Sequence, residues 1–226
     1  MIVYLTSDPG TTYIEGQTGL NKDNSFIDSL KRDLNTHIKV LIISSDPTNT
    51  KMNMENVEFI RESFGISGFI VEAVDICDDN NRDLVNELNK YDLVVLSGGH
   101  VPTQSKFFNE LDLYNKIRGY RGVLMGISAG TMNLAGNVYA MPELEGESID
   151  SEYKRFIPGL GLTDINVIPH FQYLKTVTLD GSKMIDEIAI GDSYGNEFYG
   201  IVDGAYIIIK DGISSLYGEG YLLKDG

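Results

Sequence analysis

Cysteine is nearly absent from this sequence: Cys77 is the only one in 226 residues. An internal disulfide is therefore excluded, as is a zinc site assembled from cysteines, and a reducing compartment fits such a chain. Basic residues are scarce, 18 Lys and Arg against 33 Asp and Glu, for a formal charge of -15. Phosphate contacts need clustered Lys and Arg, so a nucleic-acid-binding surface is not expected. Long hydrophobic runs are missing too. No apolar stretch approaches the roughly 18 residues of a membrane span, and the opening Met1 to Leu5 is too short, and lacks the basic flank, for a signal peptide. These absences predict a cytoplasmic protein with neither membrane nor nucleic-acid partner. Histidine is rare, with three in the chain, which leaves few candidates for general-base chemistry.

What is present is ordinary globular material. At 42% hydrophobic and 23% charged, the chain supports one sizeable core, and one domain over residues 1–226 is expected. Short β-rich runs alternate with helical patterns. Ile2 to Leu5 reads as a strand, and the polar, glycine-bearing loop from Ser7 to Asn24 is long enough to cover a site. Phe26, Ile27, Leu30 and Leu34 recur at helical spacing, with Asn24 or Ser25 as cap. Ile38 to Ile43 is the nearly continuous apolar run of a strand buried on both faces. A helix through Val57 and Phe64 ends at Gly65 to Gly68, a strand follows over Phe69 to Val74, and Leu84, Val85 and Leu88 mark a short helix. Leu93 to Leu96 is the next strand, ending at Ser97-Gly98-Gly99-His100, and further helical segments lead to Val123. This alternation predicts an α/β fold, a doubly wound, mostly parallel sheet with helices on both faces.

Val123-Leu124-Met125-Gly126-Ile127-Ser128-Ala129-Gly130-Thr131-Met132 runs an apolar strand into Gly-x-Ser-x-Gly and then a helix-compatible segment. That is the form of a nucleophile elbow, in which a strained serine stands at the carboxyl edge of the sheet and small residues avoid collision with its neighbours. The bare pattern is weak alone, and its strand-turn-helix context gives it weight. The N–H of Ala129 would point at an oxyanion formed on Ser128, and if the two glycine-rich strand ends are neighbours, an N–H of Gly99 or His100 would be the second donor. Without the elbow, Gly98-Gly99 reads as a tight turn.

Serine needs a base. His37 lies at the end of a polar helix, where solvation is expected. His100 follows the Gly-Gly turn and suits a donor or a wall. His170 ends the apolar run Ile165-Asn166-Val167-Ile168-Pro169 and is the expected base. For the carboxylate that orients it, Asp203 is bracketed by Phe198 to Val202 and Ala205 to Ile209, a setting in which an unpaired acid would be costly. Asp203-Gly204 also suits a simple hairpin turn. Asp192 and Glu197 are reserve acids, read as surface residues of an acidic loop.

These motifs, in this order (Leu96-Ser97-Gly98-Gly99, Gly126 to Gly130, Pro169-His170-Phe171 and Gly200 to Gly204), resemble the peptidase E group of intracellular serine peptidases, which includes α-aspartyl dipeptidase and, more distantly, cyanophycinase. The resemblance spans nearly the whole chain. It implies a three-layer αβα sandwich like that of class I glutamine amidotransferases, Ser128 as nucleophile, His170 as general base, a small peptide substrate and no metal or organic cofactor; a homodimer stays open. Three departures stand out. The family usually has glutamate where Asp203 stands and asparagine where His100 stands. The aspartyl dipeptidases it resembles carry arginines after the catalytic histidine, whereas here the last arginine is Arg155 and only Lys175 and Lys183 fall in that stretch. The chemistry is thus better supported than aspartyl specificity. The alternatives are a non-catalytic binding protein on the same scaffold and an amidase or esterase acting on a non-peptide substrate.

Overall fold

The computed structural model describes residues 1–10, 12–14 and 17–225, and of residues 12–14, 17 and 18 the backbone alone. Its centre is a seven-stranded sheet. In spatial order the strands are Ile213–Tyr217, Tyr206–Lys210, Ile2–Thr6, Val123–Ile127, Leu93–Leu96, His37–Ile43 and Ile70–Cys77. The five from Ile2–Thr6 onward are mutually parallel, and the two C-terminal ones join antiparallel. The continuous apolar runs occupy the middle: Val40 to Ile43 and Leu93 to Leu96 are at most 1% exposed, because helices and loops cover both faces of the sheet.

Each face has its own core. One gathers Leu5, Leu41, Leu96, Phe107 and Leu124, the other Tyr4, Ile42, Phe64, Val95 and Met125, as strand side chains alternate between faces. Each fully buried Leu or Phe contributes about 1.5–3 kcal/mol, so these layers hold the sheet together. The helix Thr50–Ile66 is longer than its apolar spacing suggested. It starts where the Asn49 side chain accepts the Met52 N–H at 3.2 Å and stops before Gly68, at φ 94°, a left-handed position that favours glycine.

Three expectations need correction. Ser25 precedes the helix Phe26–Asp33 in a left-handed conformation and its side chain makes no capping bond; the Asn24 amide instead donates to Gly204 O at 3.0 Å. The segment from Ser7 to Asn24 is not loop throughout, since Thr12–Ile14 pairs with Gln17–Gly19; residues 11, 15 and 16, and with them part of the site-covering segment, lie outside the described residues. The strands flanking Asp203 form no hairpin. Glu197–Ile201 belongs to a separate three-stranded sheet with Asn166–Ile168 and Gly220–Lys224, while Tyr206–Lys210 pairs with Ile2–Thr6. Asp203 and Gly204 still form a turn, closed by the Ala205 N–H to Val202 O at 3.0 Å, but it carries the chain from one sheet to the other.

That smaller sheet packs on a third apolar cluster containing Met132, Tyr139, Ile168, Phe171, Met184 and Phe198. Tyr139 and Phe198 stack with ring centroids 4.2 Å apart. Helix Ala129–Met132 joins this cluster to the central sheet, so the two sheets meet around the end of the Val123–Ile127 strand.

Candidate active site

Ser128 follows the strand Val123–Ile127 and precedes the helix Ala129–Met132, with φ 49° and ψ -113°. A non-glycine residue at positive φ is strained and persists only where its surroundings hold it. Here they do. The Ser128 N–H donates to Thr6 O and Ser7 O, both at 3.1 Å, and the Thr131 hydroxyl donates to Thr6 O at 2.7 Å while accepting the Thr6 N–H at 2.9 Å. The flanking glycines are required by space. A Cβ on Gly126 would stand 2.6 Å from Thr131 Cα, and one on Gly130 would stand 2.1 Å from Leu96 O.

Parallel register brings the neighbours in. Leu96 pairs with Gly126, so two residues further on Gly98 lies beside Ser128, and a Cβ there would be 3.4 Å from Ser128 Cβ. Thr6 pairs with Ile127, which sets Ser7 next to Ser128. The Gly98-Gly99 turn is pinned by Ser45, whose hydroxyl donates to Gly98 O at 2.6 Å; a Cβ on Gly99 would lie 2.4 Å from Ser45 Oγ. Ala129 opens its helix, so its N–H has no intrahelical acceptor.

The same rule operates in the smaller sheet. Ile168 pairs in parallel with Gly200, so His170 and Asp203 leave adjacent strands at one edge. His170 Nδ1 lies 2.7 Å from Asp203 Oδ1, and Nε2 lies 3.1 Å from Ser128 Oγ. An ionised carboxylate only accepts, so Nδ1 carries the ring proton and Nε2 is left to accept from the serine hydroxyl. His170 itself sits at φ 53°. Its N–H donates to Ser7 Oγ at 2.7 Å, and Ser7 Oγ donates to Asp203 Oδ1 at 2.6 Å. Gln172 completes the clasp: its amide donates to Asp203 Oδ2 at 2.5 Å and its oxygen accepts the Asp203 N–H at 3.1 Å. The structure thus brings Ser128, His170 and Asp203 into one hydrogen-bonded line, with aspartate long enough for it.

Electrostatics follow from these contacts. The hydrogen bond to Asp203 raises the His170 pKa above its ordinary value, against the opposing effect of burial. Burial would raise the Asp203 carboxyl, but the bonds from His170, Ser7 and Gln172 outweigh it and hold the group below the usual carboxylate range. Beside Ser128 and His170 opens a cavity of about 240 Å³, walled by Met132, Met141, Ile168, Leu174, Val177 and Met184, with Glu143 also on its lining. Glu143 is open to solvent at this concave wall yet crowded by protein atoms; that crowding, with Glu147 nearby, pushes its carboxyl up to about 7.

The remaining candidates have side-chain partners of their own. His100 directs its ring to Glu147 at 3.0 Å and Thr103 at 2.8 Å. His37 is exposed and faces Glu72 at 3.1 Å. Asp192 accepts from Tyr139 at 2.8 Å and pairs with Arg155 at 3.5 Å, and Glu197 pairs with Lys224, so neither reserve acid reaches His170. Ser7, Gln172, Ser45 and Glu143 went unrecognised in the sequence. For Ser7 the available signal was its place one residue past a central strand; for the other three no local pattern distinguishes them from surface polar residues.

No curated protein matches the chain. Among solved structures, a peptidase from an acI-B1 Actinobacterium superposes with a TM-score of 0.69 at 18% identity, covering 100% of this chain and 91% of that one. A candidate peptidase E protein from Listeria monocytogenes EGD-e superposes with a TM-score of 0.61 at 17% identity, covering 96% of this chain and 98% of the other. At such identities the likeness is one of fold, the αβα arrangement with its mostly parallel sheet. Peptidase family S51 matches residues 23–216, nearly the whole chain. The protein therefore belongs to peptidase family S51, the peptidase E family, and is a serine-type peptidase.

Proposed function

We propose that Ser128, His170 and Asp203 are the catalytic triad of this peptidase and that it hydrolyses a small peptide amide through an acyl-enzyme. The observation that carries this reading is the unbroken line from Ser128 Oγ to His170 Nε2, at 3.1 Å, and from His170 Nδ1 to Asp203, at 2.7 Å. His170 takes the Ser128 proton as Oγ attacks the carbonyl carbon. The tetrahedral oxyanion is held by the N–H groups of Ala129 and Gly99. The protonated ring then gives its proton to the leaving amine as the C–N bond breaks. Water, deprotonated by the same ring, attacks the ester and frees Ser128. Asp203 keeps Nδ1 protonated and the imidazole correctly turned throughout, so the scheme calls for neither metal nor organic cofactor.

Aspartate in place of the family's usual glutamate is supported in this role by Ser7 and Gln172, which hold its carboxylate at the distance a shorter side chain must cover. The buried Cys77, a free thiol, is compatible with the cytoplasm. A fluorophosphonate probe tests the assignment: the wild-type protein becomes labelled at Ser128, whereas Ser128→Ala and His170→Ala do not. A properly folded wild-type protein that fails to react would sink the triad.

A further inference from the structure

The pocket beside Ser128 has an unusual balance of chemistry. Its walls are chiefly thioether and aliphatic, with three methionines, Met132, Met141 and Met184, whose flexible side chains adapt to varied apolar shapes. The acid within it, Glu143, accepts no hydrogen bond among the described residues, unlike its neighbour Glu147, which is held by His100 and by the N–H groups of Glu143 and Leu144. Among the described residues no Lys or Arg lines the cavity. Arg155 is committed to Asp192 and Ser148 O, Lys175 lies over the rings of Phe171 and Tyr221, and Lys183 faces Asp186. Residues 11–18, whose side chains are not described, contain neither Lys nor Arg.

A substrate carboxylate entering this space would meet apolar walls and a second carboxylate, and would lose its water without gaining a partner. A cationic group has the reverse experience. In a peptide with a free amino terminus, the α-ammonium stands only two bonds from the carbonyl carbon that Ser128 attacks. It therefore falls in the pocket that Ser128 and Glu143 share.

Resting on the triad reading above, we propose that this pocket takes the N-terminal residue of the substrate as an uncharged apolar side chain, with Glu143 receiving its free α-ammonium, so that the enzyme removes residues such as leucine or methionine and rejects an N-terminal aspartate. Glu143 is then a specificity residue, an acid on the cavity lining that accepts no hydrogen bond among the described residues and so is free to take the ammonium.

The test measures kcat/KM on Leu-, Met- and Asp-p-nitroanilide and on N-acetyl-Leu-p-nitroanilide, with the wild-type protein and Glu143→Gln. The Leu and Met substrates should exceed the Asp one by about tenfold or more. Acetylating the amine should cost about tenfold or more, the loss expected when a charged hydrogen bond is removed. In Glu143→Gln the ratio of Leu to N-acetyl-Leu activity should fall toward one. Each ratio comes from one preparation and is independent of the fraction folded. Preference for Asp, equal activity on free and acetylated Leu substrates, or no cleavage of any member by a protein that still labels at Ser128 overturns the pocket assignment and leaves the triad standing. Absence of labelling removes the triad and this inference together.

Discussion

Asp203 and Glu143 both raise the pKa of His170, yet their own titrations run in opposite directions. Asp203 is gripped by three side-chain donors, from His170, Ser7 and Gln172, and its carboxyl stays below the ordinary range despite burial. Glu143 has no such donor among the described residues; crowding by the protein and the proximity of Glu147 lift it to about 7. Crowding by protein atoms acts on both carboxyls in the same sense, so the supply of donors makes the difference. One carboxylate is held below the ordinary range and already partnered, as the proposed role of orienting a base requires. The other accepts no hydrogen bond among the described residues, as the proposed reading of a substrate ammonium requires. Two acids pushed apart by their surroundings in this way mark a division of roles.

The strongest way to break this contrast is to remove the charge from the satisfied acid. Asp203→Asn should lower kcat by about 10⁴-fold, because an amide can donate to Nδ1 and favour the wrong tautomer. Its pH profile carries the sign. A histidine accepts a proton only when neutral, so with His170 as the proposed base kcat/KM rises as pH climbs through its pKa. With Asp203 present that pKa is raised above the ordinary 6.5, and the acid limb should therefore lie above pH 6.5. In Asp203→Asn the limb should move to lower pH, and a wild-type limb below 6.5 would contradict the assigned pairing.

A smaller effect is expected from thinning the donors. Ser7→Ala removes a bond to Asp203 and the acceptor of the His170 N–H; kcat should drop by about tenfold, and Ser7→Thr, which keeps the hydroxyl, should recover most of it. Steady-state kinetics with the preferred anilide substrate would check both. The smallest effect is a control. His37 faces Glu72 in solvent, where an ion pair is worth little, and His37→Gln should leave kcat/KM and the melting temperature unchanged; a clear loss of activity would mean that a histidine outside the pocket acts on the site.

Much of this organisation is legible in the primary structure, for identifiable reasons. The alternation of apolar runs and helical spacing announces the central parallel sheet because strands such as Val40 to Ile43 are apolar on both faces. Gly126-x-Ser128-x-Gly130 is legible because the turn leaves no room for a Cβ on either side. The placement of His170 at a strand end was legible as well, and the register of two parallel strands brings it to Asp203. The hairpin suggested by Asp203-Gly204 shows the limit: a turn forms there, yet the strands on either side pair with partners far away in sequence, and no local pattern reports which. The second sheet was obscured because its Asn166–Ile168 strand has only three residues, too few to display a period.

By itself the sequence determined the elements that depend on neighbours along the chain: the buried strands, the strained serine between two glycines, the scarcity of histidines that leaves so few bases to choose from, and the lack of arginine beyond residue 155. The tertiary structure alone decided that Ser7 and Gln172 secure a short aspartate, that Asp192 and Glu197 are occupied elsewhere, and that Glu143, without a donor among the described residues, lies on a methionine-walled pocket. The physical reason is distance along the chain. Ser7 and Asp203 are 196 residues apart and meet at 2.6 Å, a contact created by strand order and register, which arise from the packing of the whole chain.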